Sequence, residues 1–96
     1  MITYESLKEL AHALSKVIGF RYIAFDKVAY DINISFSNEK MEWFSIDPAH
    51  RDKFETEGYW DEHSNYFVLN CRQNPNIDWS KCQFDCKEAD NVKEEN

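Results

Sequence analysis

Apolar side chains recur at helical spacing over residues 3–18, and this pattern predicts an amphipathic helix. Thr3 is suited to cap the first turn, and Glu5 lies where a negative charge favours the helix dipole. Gly19 follows the last apolar position and can adopt the left-handed conformation that ends many helices. Ser15 falls on the polar face. The apolar face, which we expect to cover a sheet, consists of Tyr4, Leu7, Leu10, Ala11, Leu14, Val17 and Ile18.

After the helix, the period of the apolar positions falls from about 3.6 residues to about 2, which is typical of β-strands. The aromatic-rich segment 21–25 predicts a first strand, and the alternation over 28–36 predicts a second strand with one buried face. The predicted tight turn between them is 26–27. A polar loop over 37–40 leads to a third strand over 41–46, so the three strands are expected to form a meander.

The second half of the chain carries shorter patterns. Asp47-Pro48 is a helix-start signal, and it predicts a short second helix over 48–57 that ends at Gly58. Apolar and aromatic residues over 66–71 predict a fourth strand. The aromatic residues at 59–60 predict a short partner strand before it.

Residues 77–86 are ambiguous, because their apolar positions fit a helical face as well as a strand. Asp78 is a capping residue, and this favours the helix. Residues 87–96 are polar and mostly charged, so we expect a disordered tail after a single domain over 1–86. The sequence thus predicts an α+β protein, in which an N-terminal amphipathic helix packs on an antiparallel sheet of about four strands. The order is an αββα-type meander with a short second helix.

The negative charge of the chain is concentrated in its middle third. The net charge is −7; residues 31–66 hold nine acids and three bases, whereas residues 1–30 carry +1 and residues 67–96 carry −2. Acids beside aromatic side chains are typical of a docking surface for a basic protein, whereas direct binding of nucleic acid needs clustered Lys and Arg. The aromatic residues of this segment include Trp43, Phe44, Phe54, Tyr59, Trp60 and Tyr66.

We therefore expect a non-enzymatic binding protein that blocks a basic surface of a partner protein. On the predicted second strand, Asp31, Asn33 and Ser35 face away from the buried side, and positions two apart on a strand are about 6.6–6.8 Å from each other. This spacing is similar to that of successive phosphates, so such a face can imitate DNA or RNA. The predicted contact residues are Glu39, Glu42, Asp52, Glu55, Glu57, Asp61, Glu62, Tyr59 and Trp60.

The expected partner is a nuclease or another nucleic-acid-processing enzyme. Small size, acidity and the lack of a cofactor motif suit a phage- or mobile-element-encoded inhibitor of the anti-CRISPR or anti-restriction type. They suit a toxin-neutralising immunity protein equally well, and this is an alternative hypothesis.

A further alternative is that the protein is a small zinc- or thiol-dependent module whose cysteines bind the metal or react. The spacing of the cysteines lacks the close pairs of structural zinc sites, and two glycines in the whole chain leave no glycine-rich phosphate loop. The first hypothesis, a non-enzymatic binding protein, therefore includes no metal, no cofactor and no catalytic residue. The side chains that the alternative would use are Cys71, Cys82, Cys86 and His63.

The chain has three cysteines, and this odd number predicts free thiols. Its first segment lacks the basic start of a signal peptide, and together these features predict a cytoplasmic protein. No apolar run approaches membrane-spanning length, so we expect no membrane partner. The sequence leaves monomer and homodimer open, and an uncovered strand edge with exposed aromatic side chains would form the dimer interface.

Overall fold

The fold is seen in a computed structural model, which describes residues 1–50, 57–61, 65–70 and 75–86. A single helix precedes all of the strands, which confirms the predicted α+β class. No helix in the described part of the chain is long and apolar enough to cross a membrane. The elements are α1 (Tyr4–Ile18), β1 (Tyr22–Val28), β2 (Asp31–Ser37), β3 (Trp43–Ser45), β4 (Gly58–Trp60), β5 (Asn65–Asn70) and β6 (Gln83–Asp85).

Local sequence determines both ends of α1, as predicted. The Thr3 hydroxyl accepts a hydrogen bond from the Ser6 N–H at 3.0 Å, and the Ser6 hydroxyl accepts one from the Thr3 N–H at 2.8 Å. Gly19 ends the helix with φ 77°, which glycine adopts without a steric penalty. The prediction for Ser15 is wrong, because this residue is buried and its hydroxyl donates to the Phe20 carbonyl oxygen at 2.6 Å.

The main sheet has the strand order β5-β2-β1-β6, with all neighbouring strands antiparallel. Val28 pairs with Asp31, so the turn between β1 and β2 lies at Ala29-Tyr30, and the predicted turn at 26–27 is wrong. Ala29 has φ 53°, the left-handed conformation that two-residue hairpin turns require. Residues 26–27 belong to β1 because the pairing of β1 with β2 continues through them to Val28.

The predicted meander is also wrong, because β3 does not pair with β2. Instead β3 pairs antiparallel with β4 in a separate two-stranded sheet, and β5 is the second neighbour of β2. Trp43 lies opposite Trp60 in this small sheet, and their rings pack edge to face at 5.1 Å. Burial of these two indoles favours the pairing of β3 with a distant strand over pairing with the adjacent one.

The C-terminal segment combines both of the predicted possibilities. Asp78 caps a 3-10 turn at Trp79–Lys81, and its side chain accepts a hydrogen bond from the Ser80 N–H at 3.2 Å. The helix favoured for the rest of this segment is wrong, because β6 pairs with β1. The strand places Phe84 in the core, where its ring lies 6.1 Å from that of Phe25.

The described beginning of the predicted second helix is a 3-10 turn at Pro48–His50. Its remainder, residues 51–56, and the predicted tail, residues 87–96, lie outside them. The predicted fourth strand is confirmed as β5, and 59–60 belongs to β4, although β4 pairs with β3 rather than with β5.

The two faces of the main sheet are covered differently. One face packs against α1, and the opposite face carries the small β3–β4 sheet, where Ala24, Met41 and Trp60 form a second buried cluster. Gln83 fastens the chain before β3, since its side-chain amide accepts from the Met41 N–H at 2.7 Å and donates to the Met41 carbonyl at 2.9 Å. The core beneath α1 consists of Leu7, Ala11, Ile23, Phe25, Ile32, Ile34, Trp79, Cys82, Phe84 and Cys86.

Candidate functional site

A groove of about 510 Å³ lies on the sheet face opposite α1, beside the small sheet. Side chains of paired strand residues point to the same face, so Asp26, its partner Asn33 and the next partner Val68 all reach this groove. The lining holds three carboxylates and two tyrosines, and none of the described residues that form it is a base. These residues are Asp26, Val28, Asp31, Asn33, Ser35, Tyr59, Trp60, Asp61, Tyr66 and Val68.

Asp26 is the most buried acid of the groove. Its residue is 2% exposed, and its carboxylate accepts hydrogen bonds from Asn33 Nδ2 at 2.9 Å and from the Trp60 N–H at 3.4 Å. Burial raises the pKa of this carboxyl, and the two hydrogen bonds oppose the rise without cancelling it. The charged form of Asp26 is thus poorly solvated, and a cation in the groove would stabilise it.

Asp31 and Asp61 bring further carboxylates from two different sheets. Asp31 begins β2, where its carboxylate accepts a hydrogen bond from Asn70 Nδ2 at 3.2 Å. Asp61 follows β4, and its N–H donates to the Glu42 carbonyl oxygen at 3.1 Å. The part of the groove's negative charge that Asp61 supplies therefore depends on the packing of the small sheet against β1.

Two tyrosines flank the acids. Tyr66 belongs to β5 and is 66% exposed, whereas Tyr59 is half-buried and stacks on Phe44 with ring centroids 5.6 Å apart. The face of a tyrosine ring attracts Lys and Arg side chains, most strongly where water is partly excluded. The aromatic rings thus add to the attraction that the carboxylates exert on a positive group.

The sequence-predicted contact residues are dispersed in the described part of the chain. Tyr59 and Asp61 line the groove, as does Trp60, but Trp60 is only 6% exposed. Its indole N–H donates to the Phe25 carbonyl oxygen at 2.9 Å, and its ring packs on Trp43. The structure therefore places Trp60 in the core, where it supports the groove from behind.

The predicted acids outside the groove lie in other surroundings. Glu42 lines a separate cavity of about 550 Å³ together with Lys40 and Lys81, so the charge there is mixed. Glu39 lies in the exposed loop after β2, and Glu57 is exposed directly before β4. Asp52, Glu55 and Glu62 lie outside the described residues.

Sequence reasoning missed Asp26 and Tyr66 as site residues, and it did not rank Asp31 or Asn33 among the contacts. The signal for Asp31 and Asn33 was present, because both alternate with the buried Ile32 and Ile34. Asp26 carried no such signal, since an acid followed by a lysine is typical of a turn. The structure buries it because an amide and a backbone N–H from two other elements are its partners.

The cysteines offer little reactivity in the described residues. Cys82 and Cys86 are buried, and burial, followed by the charge of Asp78, raises the pKa of Cys82 to about 12. A thiol with this pKa is almost entirely protonated at neutral pH, which makes it a poor nucleophile and a poor metal ligand. No cluster of three or more metal-binding side chains is formed by the described residues, and Cys71 and His63 lie outside them.

Comparisons of the chain with protein-family models, with curated proteins and with solved structures give no match. The geometry and the charge of the groove are therefore what indicates a function for this chain.

Proposed function

We propose that the protein is a non-enzymatic binding protein that receives a basic segment of a partner protein in the acidic groove. The observation that carries this proposal is the lining of the groove, which brings the carboxylates of Asp26, Asp31 and Asp61 together. A Lys or Arg side chain that enters this space exchanges water for charge-assisted hydrogen bonds, which are among the strongest in proteins.

Arginine fits the groove better than lysine. Its planar guanidinium can bind a carboxylate with two parallel hydrogen bonds and stack on an aromatic ring at the same time. Asp31 and Asp61 supply carboxylates, and Tyr59 and Tyr66 supply rings. A volume of about 510 Å³ is within the range of roughly 300–1,000 Å³ that is typical of ligand pockets, and it accommodates one or two such side chains.

The proposed partner class is a nucleic-acid-processing enzyme, whose substrate channel is rich in Lys and Arg. Binding of the acidic groove to such a channel would block it. The net charge of −7 would increase the rate of encounter with a basic surface, and it would do so most at low salt. A toxin-neutralising immunity protein would use the same contacts to bind its toxin. The same groove variants therefore test a toxin as the second partner class.

The test measures binding of a fluorescent arginine-rich peptide by anisotropy, at low and at moderate salt. The variant Asp31→Asn/Asp61→Asn removes two groove charges, and the control Glu5→Gln/Glu9→Gln removes two charges from the exposed face of α1. We expect the groove variant to raise the Kd about tenfold or more and the control to change it less than about threefold. Equal losses in both variants, or no binding by the wild-type protein, would overturn the proposal.

A further inference from the structure

The outer edge of β5 is unprotected in the described part of the chain. β5 pairs with β2 along one edge, and no described strand pairs with the other. All six residues of β5 are exposed, and four of them carry large apolar or aromatic side chains. Natural proteins protect such an edge with charged residues, proline or a covering segment, but Asn65–Asn70 contains neither a charge nor a proline.

We propose that this edge pairs antiparallel with β5 of a second copy of the chain, which joins two sheets into one of eight strands. β5 carries no charge that would attract a basic protein to this edge. The chain carries −7, so two copies repel each other over most of their surface, whereas residues 65–70 are uncharged. The uncharged strand is a place where two copies can approach at a low electrostatic cost.

The sequence of β5 also suits pairing with an antiparallel copy of itself. The run from Tyr66 to Leu69 is apolar or aromatic, so a copy centred on Phe67 places Tyr66 opposite Val68, and a copy centred on Val68 places Phe67 opposite Leu69. Cross-strand pairs of this kind stabilise sheets.

The faces of the sheet restrict the register. Phe67 and Leu69 pair with Ile34 and Ile32 and therefore lie on the α1 face, whereas Tyr66 lies on the groove face. A twofold axis perpendicular to the sheet joins the α1 face of one copy to the α1 face of the other. Because neighbouring residues of a strand point to opposite faces, this axis has to pass through a residue and not between two residues. Two central registers fulfil this condition, one in which Phe67 faces its own counterpart and one in which Val68 does.

The proposed interface has the size of a weak, reversible dimer. The exposed fractions are 66% for Tyr66, 38% for Phe67, 49% for Val68 and 48% for Leu69. With side-chain areas of roughly 150–250 Å² for large apolar residues, burial of all of this exposed area would remove roughly 600–1,000 Å² from water in both copies together. Weak, transient interfaces fall in this range, below the roughly 1,200 Å² at which standard interfaces begin, so we expect a dimer that forms only with rising protein concentration.

Dimerisation would also enlarge the groove. Tyr66 and Val68 line the groove and lie at the proposed seam, so the two grooves would meet across the twofold axis. The two β2 strands would be separated by three strand spacings, roughly 14 Å. The strand pairing itself does not depend on what the groove binds.

The first experiment measures the mass of the protein by sedimentation equilibrium, with reductant, from low micromolar to several hundred micromolar concentration. We expect the wild-type mass to rise from one to two chains. Leu69→Lys places a positive charge at the edge of each copy and should keep the protein monomeric. Val17→Lys introduces the same charge at an apolar side chain of α1 that is 83% exposed, and it should dimerise like the wild type.

A wild-type protein that stays monomeric at all concentrations would overturn the proposal and would leave an extended segment of another protein as the occupant of this edge. Equal dimerisation of Leu69→Lys and Val17→Lys would overturn it as well. Circular dichroism checks that each variant is folded, and Tyr66→Lys replaces Leu69→Lys if the latter unfolds.

The second experiment tests the register by oxidative crosslinking of Phe67→Cys and Val68→Cys. A residue on the axis lies about 4.5–5.5 Å from its counterpart between Cα atoms, which is within disulfide reach. We expect one of the two variants to form a disulfide-linked dimer much faster than the wild-type chain. Equal rates in the wild type and in both variants would contradict the central pairing.

Discussion

The two faces of the main sheet use the same strands for different purposes. On the α1 face, Phe25 and Ile34 are sealed in a continuous apolar core. On the opposite face, the small sheet covers β1, and the adjoining part of β2 carries polar side chains that line the groove. Alternate residues of one strand thus contribute to the stability of the fold and to a surface that can bind a partner. We expect substitutions on the α1 face to change stability most and those on the groove face to change binding most.

The largest expected effect is on the α1 face. Phe25→Ala removes a fully buried ring that packs on Phe84, and it should lower the free energy of unfolding by about 3–5 kcal/mol. Urea unfolding followed by tryptophan fluorescence measures this loss. Val17→Ala at an exposed position of α1 is the control and should change stability by less than about 0.5 kcal/mol. Comparable losses in the two variants would refute the assignment of the core.

The next effect concerns the contact between the two sheets. A Cβ atom on Gly58 would lie 2.6 Å from the Phe44 carbonyl oxygen and 2.7 Å from Cε2 of Trp43, so Gly58→Ala forces β3 and β4 apart. We expect a loss of about 1–3 kcal/mol in the free energy of unfolding and weaker binding of the arginine-rich peptide, because β4 positions Tyr59 and Asp61.

Gly19→Ala is the matched control for this variant. No heavy atom lies within 4 Å of its added Cβ, and the cost comes from its φ of 77° alone, at about 1 kcal/mol. This variant should destabilise the protein without changing peptide binding by the folded fraction. If Gly58→Ala bound the peptide as the wild type does, the small sheet would not be what positions the groove.

The two faces also differ in how far local sequence could predict them. The ends of α1 follow from Thr3 and Gly19, which act on the backbone within a few residues, and both were predicted correctly. The alternation that buries Ile32 and Ile34 is equally local. The α1 face could therefore be predicted largely from the sequence, with two exceptions. The burial of Ser15 depends on a hydrogen bond to the chain beyond the helix, and Phe84 enters this core through the pairing of β6 with the distant β1.

The groove could not be read in this way because its parts are distant in the chain. The pairing of Trp43 with Trp60 and the hydrogen bond from the Trp60 N–H to Asp26 join segments that no local pattern connects. Composition did predict an association of acids with aromatic side chains, and Tyr59 and Asp61 line the groove. It could not predict that Trp60 would be core, since an indole next to acids has the same local pattern whether it is exposed or buried.

A smaller effect should appear in the pH dependence of stability. Because burial raises the pKa of Asp26 in the folded protein, the folded state holds this proton more tightly than the unfolded state. The contribution of this group to stability is fully present below its unfolded pKa, near 3.9, and is lost as the pH rises through the raised folded value. Asp26→Asn cannot lose a proton, so its stability relative to the wild type should increase over this window.

Urea unfolding of Asp26→Asn and the wild type at a series of pH values measures this difference. Asp31→Asn is the control for the removal of a carboxylate from a less buried position of the same groove. A stability difference between Asp26→Asn and the wild type that is constant with pH would mean that the carboxyl is well solvated in the folded protein.

The smallest effect concerns the ion pair between Arg21, which directly precedes β1, and Asp85 of β6. Arg21 binds Asp85 through two hydrogen bonds of 2.9 and 2.7 Å, and its guanidinium lies 4.8 Å from the centre of the Tyr22 ring. Both side chains are partly exposed, so water and salt screen the pair, and Arg21→Gln should cost about 0.5–1 kcal/mol at low salt and less at high salt. Asp85 is paired with a base at the β6 edge of the sheet, whereas the groove brings three carboxylates together. If Arg21→Gln bound the arginine-rich peptide more tightly than the wild type, the Asp85 carboxylate would attract the peptide once Arg21 is removed, and the groove would be one of two acidic binding surfaces.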